Sequence, residues 1–187
     1  MTPALPALTD GELARRALGG EQSAFACLME RHRSGVYRLV LTQTGDPDEA
    51  VDITQEAFIA AFAALDRYDA ERPFRVWISR IAINKCRDWA RRRAVRRFFT
   101  FATPIEEAFE IADLAATPEE QLTHSHEQEK LIAAITQLPP KLKEVLILRT
   151  IEEFSQNEVA QTLGITGKAV EMRLYRARNM LLGLLRD

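Results

Sequence analysis

Ser155-Gln156-Asn157-Glu158-Val159-Ala160-Gln161-Thr162-Leu163-Gly164-Ile165-Thr166-Gly167-Lys168-Ala169-Val170 reads as a short helix, a tight turn and the opening of a longer helix. Ser155 with Glu158 three residues on forms a capping box. Val159, Ala160 and Leu163 recur at helical spacing and face inward. Gly164 stands where a tight turn needs positive φ. Ile165 plugs that turn, and Thr166 is placed to cap the next helix. On that helix, predicted over Gly167–Leu185, Val170, Leu174, Ala177, Leu181 and Leu184 form the buried stripe. Lys168, Met172, Tyr175, Arg176 and Asn179 then point the other way, with Glu171 beside them. Short helix, turn and polar-faced helix is the helix-turn-helix arrangement, whose second helix enters the DNA major groove. An arginine there can bond guanine O6 and N7, and a glutamate can accept from cytosine N4. An ordinary helical hairpin shares the glycine turn. The caps, the small Ala160 and the arginines of the outer face favour DNA.

Helical signals continue upstream. Thr9-Asp10-Gly11-Glu12 is another capping box, and Gly19-Gly20 stops the helix it opens. A second helix is predicted over about Ser23 to Gln43, with Phe25, Leu28, Met29, Val36, Leu39 and Val40 on its apolar side. Asp46-Pro47-Asp48-Glu49 starts a third, on which Val51, Thr54, Phe58, Phe62 and Leu65 are predicted to be buried. Asp66 to Pro73 is a loop. A fourth helix, about Phe74 to Arg93, carries Phe74, Ile78, Ile81, Ala82 and Trp89 as core, with Trp77 at the edge. From Ala94 to about Thr123 the pattern fades, and Thr103-Pro104 and Thr117-Pro118 break any helix. Helices return from Pro118 or Glu119 to Gln137 and from Pro139 to Thr150. No strand alternation or internal repeat is visible. The predicted fold is all-α: two small helical domains, 9–97 and 127–187, joined by an acidic linker over 98–126.

The chain has 187 residues and a net charge of −2, which excludes a bulk-basic nucleic-acid binder. Hydrophobic residues make up 47%, enough for real cores. No apolar run approaches the ~18–20 residues that span a bilayer. Met1 to Leu8 lacks the pattern of a signal peptide. A soluble, cytoplasmic protein without membrane insertion is expected. The near-zero charge hides strong segregation. Asp46–Glu71 carries eight acids against one base, and Phe98–Lys130 the same. Arg72–Arg97 between them carries ten bases against one acid, a footprint for a polyanion. The acidic blocks predict weak binding of DNA by the isolated chain, because they repel it or cover the basic helix.

Within the basic block, Arg80, Asn84, Arg87 and Arg91 share one helix face at spacings of 4, 3 and 4. Arginines hold phosphates, and an amide can bond a base edge. Tyr68, Phe74 and Trp77 lie close in sequence, and an unstacked base seeks such rings. For most of their area Phe74, Trp77 and Trp89 are expected to be core, and the reading needs only one edge, or Tyr68, to be available. No glycine-rich phosphate loop, paired acid/base set or nucleophile motif is present, so no enzymatic activity, cofactor or metal is expected. His124-Ser125-His126 has no partner ligands at a useful spacing, and two cysteines, Cys27 and Cys86, make neither a disulfide framework nor a four-ligand zinc site. Free thiols in apolar surroundings are the expectation.

Asp52-Ile53-Thr54-Gln55-Glu56-Ala57-Phe58, Leu65-Asp66 and Trp77-Ile78-Ser79-Arg80-Ile81-Ala82-Ile83-Asn84 resemble region 2 of bacterial sigma factors. Leu138-Pro139-Pro140 through Val170, with Arg173-Leu174-Tyr175-Arg176-Ala177-Arg178, resembles region 4. The short tether without a region 3 domain is similar to the extracytoplasmic-function group, the smallest members of the sigma-70 family. The resemblance implies that Asp52, Gln55 and Glu56 dock on the β′ clamp helices of RNA polymerase core, with the β subunit a further contact. It implies that the Asp66–Pro73 loop and the start of the next helix capture a flipped base of the −10 element. Asn84 then lines that pocket, Tyr68, Phe74 and Trp77 surround it, and Arg80, Arg87 and Arg91 hold backbone. Lys168, Glu171, Met172, Tyr175, Arg176 and Asn179 would read the −35 element. The acidic tether would thread the polymerase channels, and an anti-sigma factor would clamp the two domains together. Glu171-Met172 departs from the basic or small polar pair of many relatives, so their promoter rules do not transfer. Two other classes compete: a helix-turn-helix regulator acting without polymerase, and a sigma mimic that titrates an anti-sigma factor. The Asp52-to-Asn84 block speaks against the first. The retained basic helix and Asn84 speak against the second.

Overall fold

The computed structural model describes residues 5–99, 130–131 and 133–186. The two Thr-Pro breaks, His124-Ser125-His126 and nearly all of the stretch read as a linker lie outside the described residues. Seven helices of eight or more residues are described: α1 (Asp10–Leu18), α2 (Gln22–Thr44), α3 (Pro47–Ala63), α4 (Phe74–Phe99), α5 (Pro140–Thr150), α6 (Gln156–Leu163) and α7 (Gly167–Leu184). Among the described residues there is no strand.

The local signals act where the sequence places them. Thr9 and Ser155 each complete a capping box with Glu12 and Glu158, and Asp46 accepts from the N–H groups of Asp48 and Glu49. Gly45 and Gly164 end α2 and α6 in the left-handed region, at φ 70 and 65. There a side chain would be strained. Helix α4 runs six residues beyond the predicted end at Arg93, to Phe99.

Helix α2 is the spine of the first bundle and packs on α1, α3 and α4. Leu13, Leu28, Leu39, Ile53, Phe74, Ile78 and Ile83 are fully buried there. Helix α7 packs on α5 and α6. The two groups also pack on each other, α4 against α6 and α2 against α5. The core of the first bundle therefore continues without a break into Val145, Ile147, Leu148, Phe154, Val159 and Val170.

One predicted stripe is rotated. On α3 the buried side is Ala50, Ile53, Thr54, Ala57, Phe58 and Ala61. Val51 and Phe62, predicted to be core, are 44% and 50% exposed. Alanines let α2 and α4 approach closely, so the small residues take the inner face and the large ones flank it. On α4, Val76, Ile83 and Cys86 join the predicted core, while Ile81 is only half-buried. That helix is covered by α2 and α3 and by α6, so one stripe does not describe it.

Candidate nucleic-acid interface

The predicted cationic ladder stands on α4. Arg80, Asn84, Arg87 and Arg91 are all exposed. Arg80 makes no hydrogen bond or ion pair with the described residues, and Arg91 pairs with Asp88 on its own helix. Arg87 is held from two sides. Its Nη1 donates to Asn84 Oδ1 at 3.2 Å. Its Nε and Nη2 donate to both carboxylate oxygens of Glu144 on α5, each at 2.7 Å. That bond raises the guanidinium pKa further, so Arg87 stays charged. At the start of α4, Arg75 Nε donates to Glu158 Oε1 at 3.0 Å and lies 4.8 Å over the Phe154 ring.

The three aromatic candidates form one cluster, with ring centroids 5.2 to 5.4 Å apart. Phe74 is fully buried and Tyr68 is 8% exposed, so only Trp77, half-buried, offers surface to a base. The Tyr68 hydroxyl donates to the Arg72 carbonyl and closes the loop over the rings. Burial, with the Asp10 charge next, pushes its pKa up to about 12. Phe74 is core, as its place on the apolar stripe of α4 predicts, and Tyr68, predicted to be available to a base, is covered as well. In this arrangement they are the floor under the loop, covered because α1 and α2 close over them.

The cover is a polar network that the sequence does not reveal. Asp10, at the start of α1, receives Arg31 Nη1 at 2.6 Å and contacts His32 Nε2 at 2.9 Å. Arg31 also donates to the carbonyls of Pro6 and Leu8, each at 3.1 Å. The His32 ring lies 5.1 Å from Phe74. A Cβ on Gly11 would come within 2.5 Å of the Ala70 carbonyl oxygen, so α1 rests directly on the loop. The hydrogen bond to His32 is the main cause that holds the Asp10 carboxyl below its usual range; the Arg31 contacts add to it, and burial opposes both. A depressed carboxyl stabilises the fold above its unfolded pKa, and that contribution disappears as pH falls through the native value. With Asp10 partly exposed, Asp10→Asn is expected to cost about 1 kcal/mol at neutral pH. Urea titrations of both proteins should converge on acidification below that native value. A constant difference at every pH would assign the loss to packing.

The helix-turn-helix has the predicted geometry. Lys168, Glu171, Met172, Tyr175, Arg176 and Asn179 are all exposed, opposite buried Val170 and Ala177. Gln156 Nε2 donates to the Gly167 carbonyl at 2.9 Å and ties the two helices across the turn. Burial raises the Glu158 carboxyl, but the bonds from Ser155 and Arg75 outweigh it and leave its pKa lowered.

On α3, Asp52 and Gln55 are exposed, and Glu56 accepts from Lys85 Nζ at 3.2 Å. Beside them lies an apolar groove of about 630 Å³, lined among others by Phe25, Met29, Val51, Phe58, Ile59 and Phe62. Phe25 and Phe62 meet edge to face at 4.8 Å across it. Thr54 Oγ1, buried at the groove, has no hydrogen-bond partner among the described residues. The pattern Asp52, Gln55 and Glu56 marks the polar rim, and the single predicted stripe does not mark the groove. The signal was present: α3 is apolar over more than one helix face, which a single buried stripe does not use.

Cys86 is buried, and burial with the nearby Glu144 carboxylate pushes its thiol up to about 12, so it stays protonated and poorly reactive. Among the described residues no group of three or more His, Cys, Asp or Glu could hold a metal. No described helix is long and apolar enough to cross a membrane.

The chain is similar to known proteins over most of its length. Residues 28–96 match Sigma-70 region 2, and residues 128–181 match Sigma-70, region 4. RNA polymerase sigma factor NccH of Alcaligenes xylosoxydans xylosoxydans is 38% identical over 95% of each chain. ECF RNA polymerase sigma factor SigW of Bacillus subtilis is 31% identical over 90% of this chain and 92% of its own. The structure of CnrH in complex with the cytosolic domain of CnrY superposes with a TM-score of 0.70, at 30% identity, over 95% of this chain and 97% of that one.

Proposed function

The chain belongs to the sigma-70 family, in its extracytoplasmic-function group, and on that premise we propose that it binds RNA polymerase core and directs it to promoters carrying −10 and −35 elements. Residues 9–97 act as region 2 and 127–187 as region 4, with 98–126 the acidic connection between them. The observation that carries this reading is three distinct surfaces on one chain. Helix α3 offers a polar rim, the acids Asp52 and Glu56 with Gln55, beside an apolar groove. Helix α4 offers arginines around Asn84, and α7 offers a polar face on a helix-turn-helix. A regulator that binds duplex DNA without polymerase needs only the last.

The polymerase supplies the chemistry of RNA synthesis, and this chain supplies position. Asp52, Gln55 and Glu56 meet the β′ clamp helices, with the groove taking apolar side chains of the partner and Thr54 a polar one. Asn84 reads a base of the −10 element, beside Trp77, while Arg80, Arg87 and Arg91 hold its backbone. Lys168, Glu171, Met172, Tyr175, Arg176 and Asn179 read the −35 element. The relative CnrH forms a complex with the cytosolic domain of CnrY. By that likeness an anti-sigma factor is proposed as this chain's partner in the cytoplasm.

Run-off transcription with core polymerase and a randomised promoter library tests the reading. Wild-type chain is expected to select one −10 and one −35 sequence. Asn84→Ala is expected to relax −10 selection by ~1–3 kcal/mol, the worth of a good base contact, and to leave −35 selection intact. Initiation without selection, or none at all, would overturn the proposal. An unaltered −10 preference in Asn84→Ala would make Asn84 structural.

A further inference from the structure

Helix α1 and the loop 66–73 meet backbone to backbone. A Cβ on Gly11 would stand 2.5 Å from the Ala70 carbonyl oxygen and 3.4 Å from the Ala70 carbonyl carbon. Gly11 lies buried in the first turn of α1, and its φ is not positive. Alanine is favoured over glycine in a helix by up to about 1 kcal/mol. Glycine therefore stands there for space and not for conformation. Helix α1 is itself fixed, with Leu13 and Ala14 fully buried. Arg31 on α2 donates to Asp10 and to the carbonyls of Pro6 and Leu8, and His32 contacts the other carboxylate oxygen of Asp10. The loop is anchored at its two ends by the rings of Tyr68 and Phe74. Between those anchors Ala70 is its point of contact with Gly11, and just beyond it Arg15 on α1 lies 3.6 Å from Glu71. A helix packed on a loop is often only structural. This loop, however, leads directly into Phe74 and Trp77, at the head of the helix that carries Asn84.

We propose that α1 is the seat that sets the position of this loop, and that Gly11 and Arg31 are positioning residues for selection of a −10 base. The proposal rests on the sigma-factor reading, in which the loop 66–73 and the start of α4 take a base of the −10 element, and adds what holds that loop. Neither residue is placed in contact with DNA. Gly11 is buried, and the Arg31 guanidinium is engaged by Asp10 and two carbonyls. Because α1 is anchored in the core, a side chain at residue 11 displaces the loop and not the helix. Restoring an ordinary van der Waals contact at Ala70 needs a rise of about 1 Å. A hydrogen bond to a base edge holds only over about 2.7–3.2 Å, so a rise of that size removes it.

The test uses the full chain assembled with core polymerase. The probes are a single-stranded oligonucleotide carrying the −10 sequence selected in the library, and the same strand with each −10 base in turn replaced by an abasic site. The position of the largest wild-type loss marks the captured base, and the ratio of the two affinities there isolates its contribution. A variant that is merely less stable lowers both affinities together and leaves the ratio unchanged. Gly11→Ala is expected to lower the ratio about tenfold, within the worth of one good base contact. Affinity for the abasic probe and −35 selection are expected to stay at the wild-type level. An unchanged ratio in a variant of normal helicity would overturn the seat. If Gly11→Ala loses helicity, Arg31→Met keeps the aliphatic stem and removes the bonds to Asp10, Pro6 and Leu8. It must then lower the ratio several-fold, and an unchanged ratio would overturn the proposal. The wild-type chain separates the two readings. Equal binding of intact and abasic probes removes the −10 part of the sigma-factor reading and this proposal with it. Wild-type discrimination that persists in both variants removes only the role of α1.

Discussion

Phe74→Ala is expected to lower the stability of the chain by about 3–5 kcal/mol, the range for emptying a buried aromatic site. Phe74 has no exposed surface and touches Tyr68, Trp77 and His32. The loop cannot collapse into the space, because Gly11 already rests on the Ala70 carbonyl and Arg31 ties the N-terminal segment to Asp10. The cavity term therefore adds to the lost transfer energy. Urea denaturation followed by circular dichroism gives the number. The same variant separates floor from platform. If Phe74 stacked on a flipped base, the loss would appear in −10 selection with stability within ~1 kcal/mol of wild type, as for an exposed substitution. A large loss of stability, with −10 selection preserved at a temperature where the variant is folded, assigns Phe74 to the floor.

That question arises because sequence spacing reports which residues are apolar and not which side of them is covered. Local chemistry was fully legible. The boxes at Thr9 and Ser155, the Asp46 cap and the turn glycines Gly45 and Gly164 all act within a few residues of chain. The outer face of α7 was legible for the same reason, since one stripe settles both sides of a helix covered on one side. Helix α3 was not. Its alanines at 50, 57 and 61, outside the predicted stripe, form the inner face, and Val51 and Phe62 lie outward.

The contacts between the halves lay further from view. Glu144 and Lys143 in Pro140–Thr150 are charged, yet they are 3% and 7% exposed. Only a partner more than fifty residues away explains a buried Glu144, and no periodicity within α5 encodes Arg87. Charge blocks did predict that something acidic would cover the basic helix. They pointed to the stretches before and after it, and the described partners of that helix are Glu56 of the stretch before it, on Lys85, together with two single glutamates of the near-neutral C-terminal region, Glu144 and Glu158.

Ile59→Asp/Phe62→Asp is expected to weaken association with core polymerase by more than about a hundredfold, because truncating one central apolar anchor of an interface typically costs 2 kcal/mol or more. Ile59 is 69% and Phe62 50% exposed, so neither change opens a cavity in the bundle. Each aspartate would instead carry a charge into a surface that docking dries, which adds a desolvation penalty to the lost apolar contact. Asp52→Arg serves as the contrast. Asp52 stands on the rim, and a rim charge acts chiefly on the encounter rate and its salt dependence. Its effect is expected to shrink as salt rises, while that of the Ile59/Phe62 pair persists. Binding of labelled chain to core at low and high salt distinguishes the two. Full affinity of Ile59→Asp/Phe62→Asp, with native helicity, would move the docking surface off α3. Salt-independent loss in that variant and salt-dependent loss in Asp52→Arg would instead make the apolar groove the anchor, with the acidic residues of α3 serving to guide the approach.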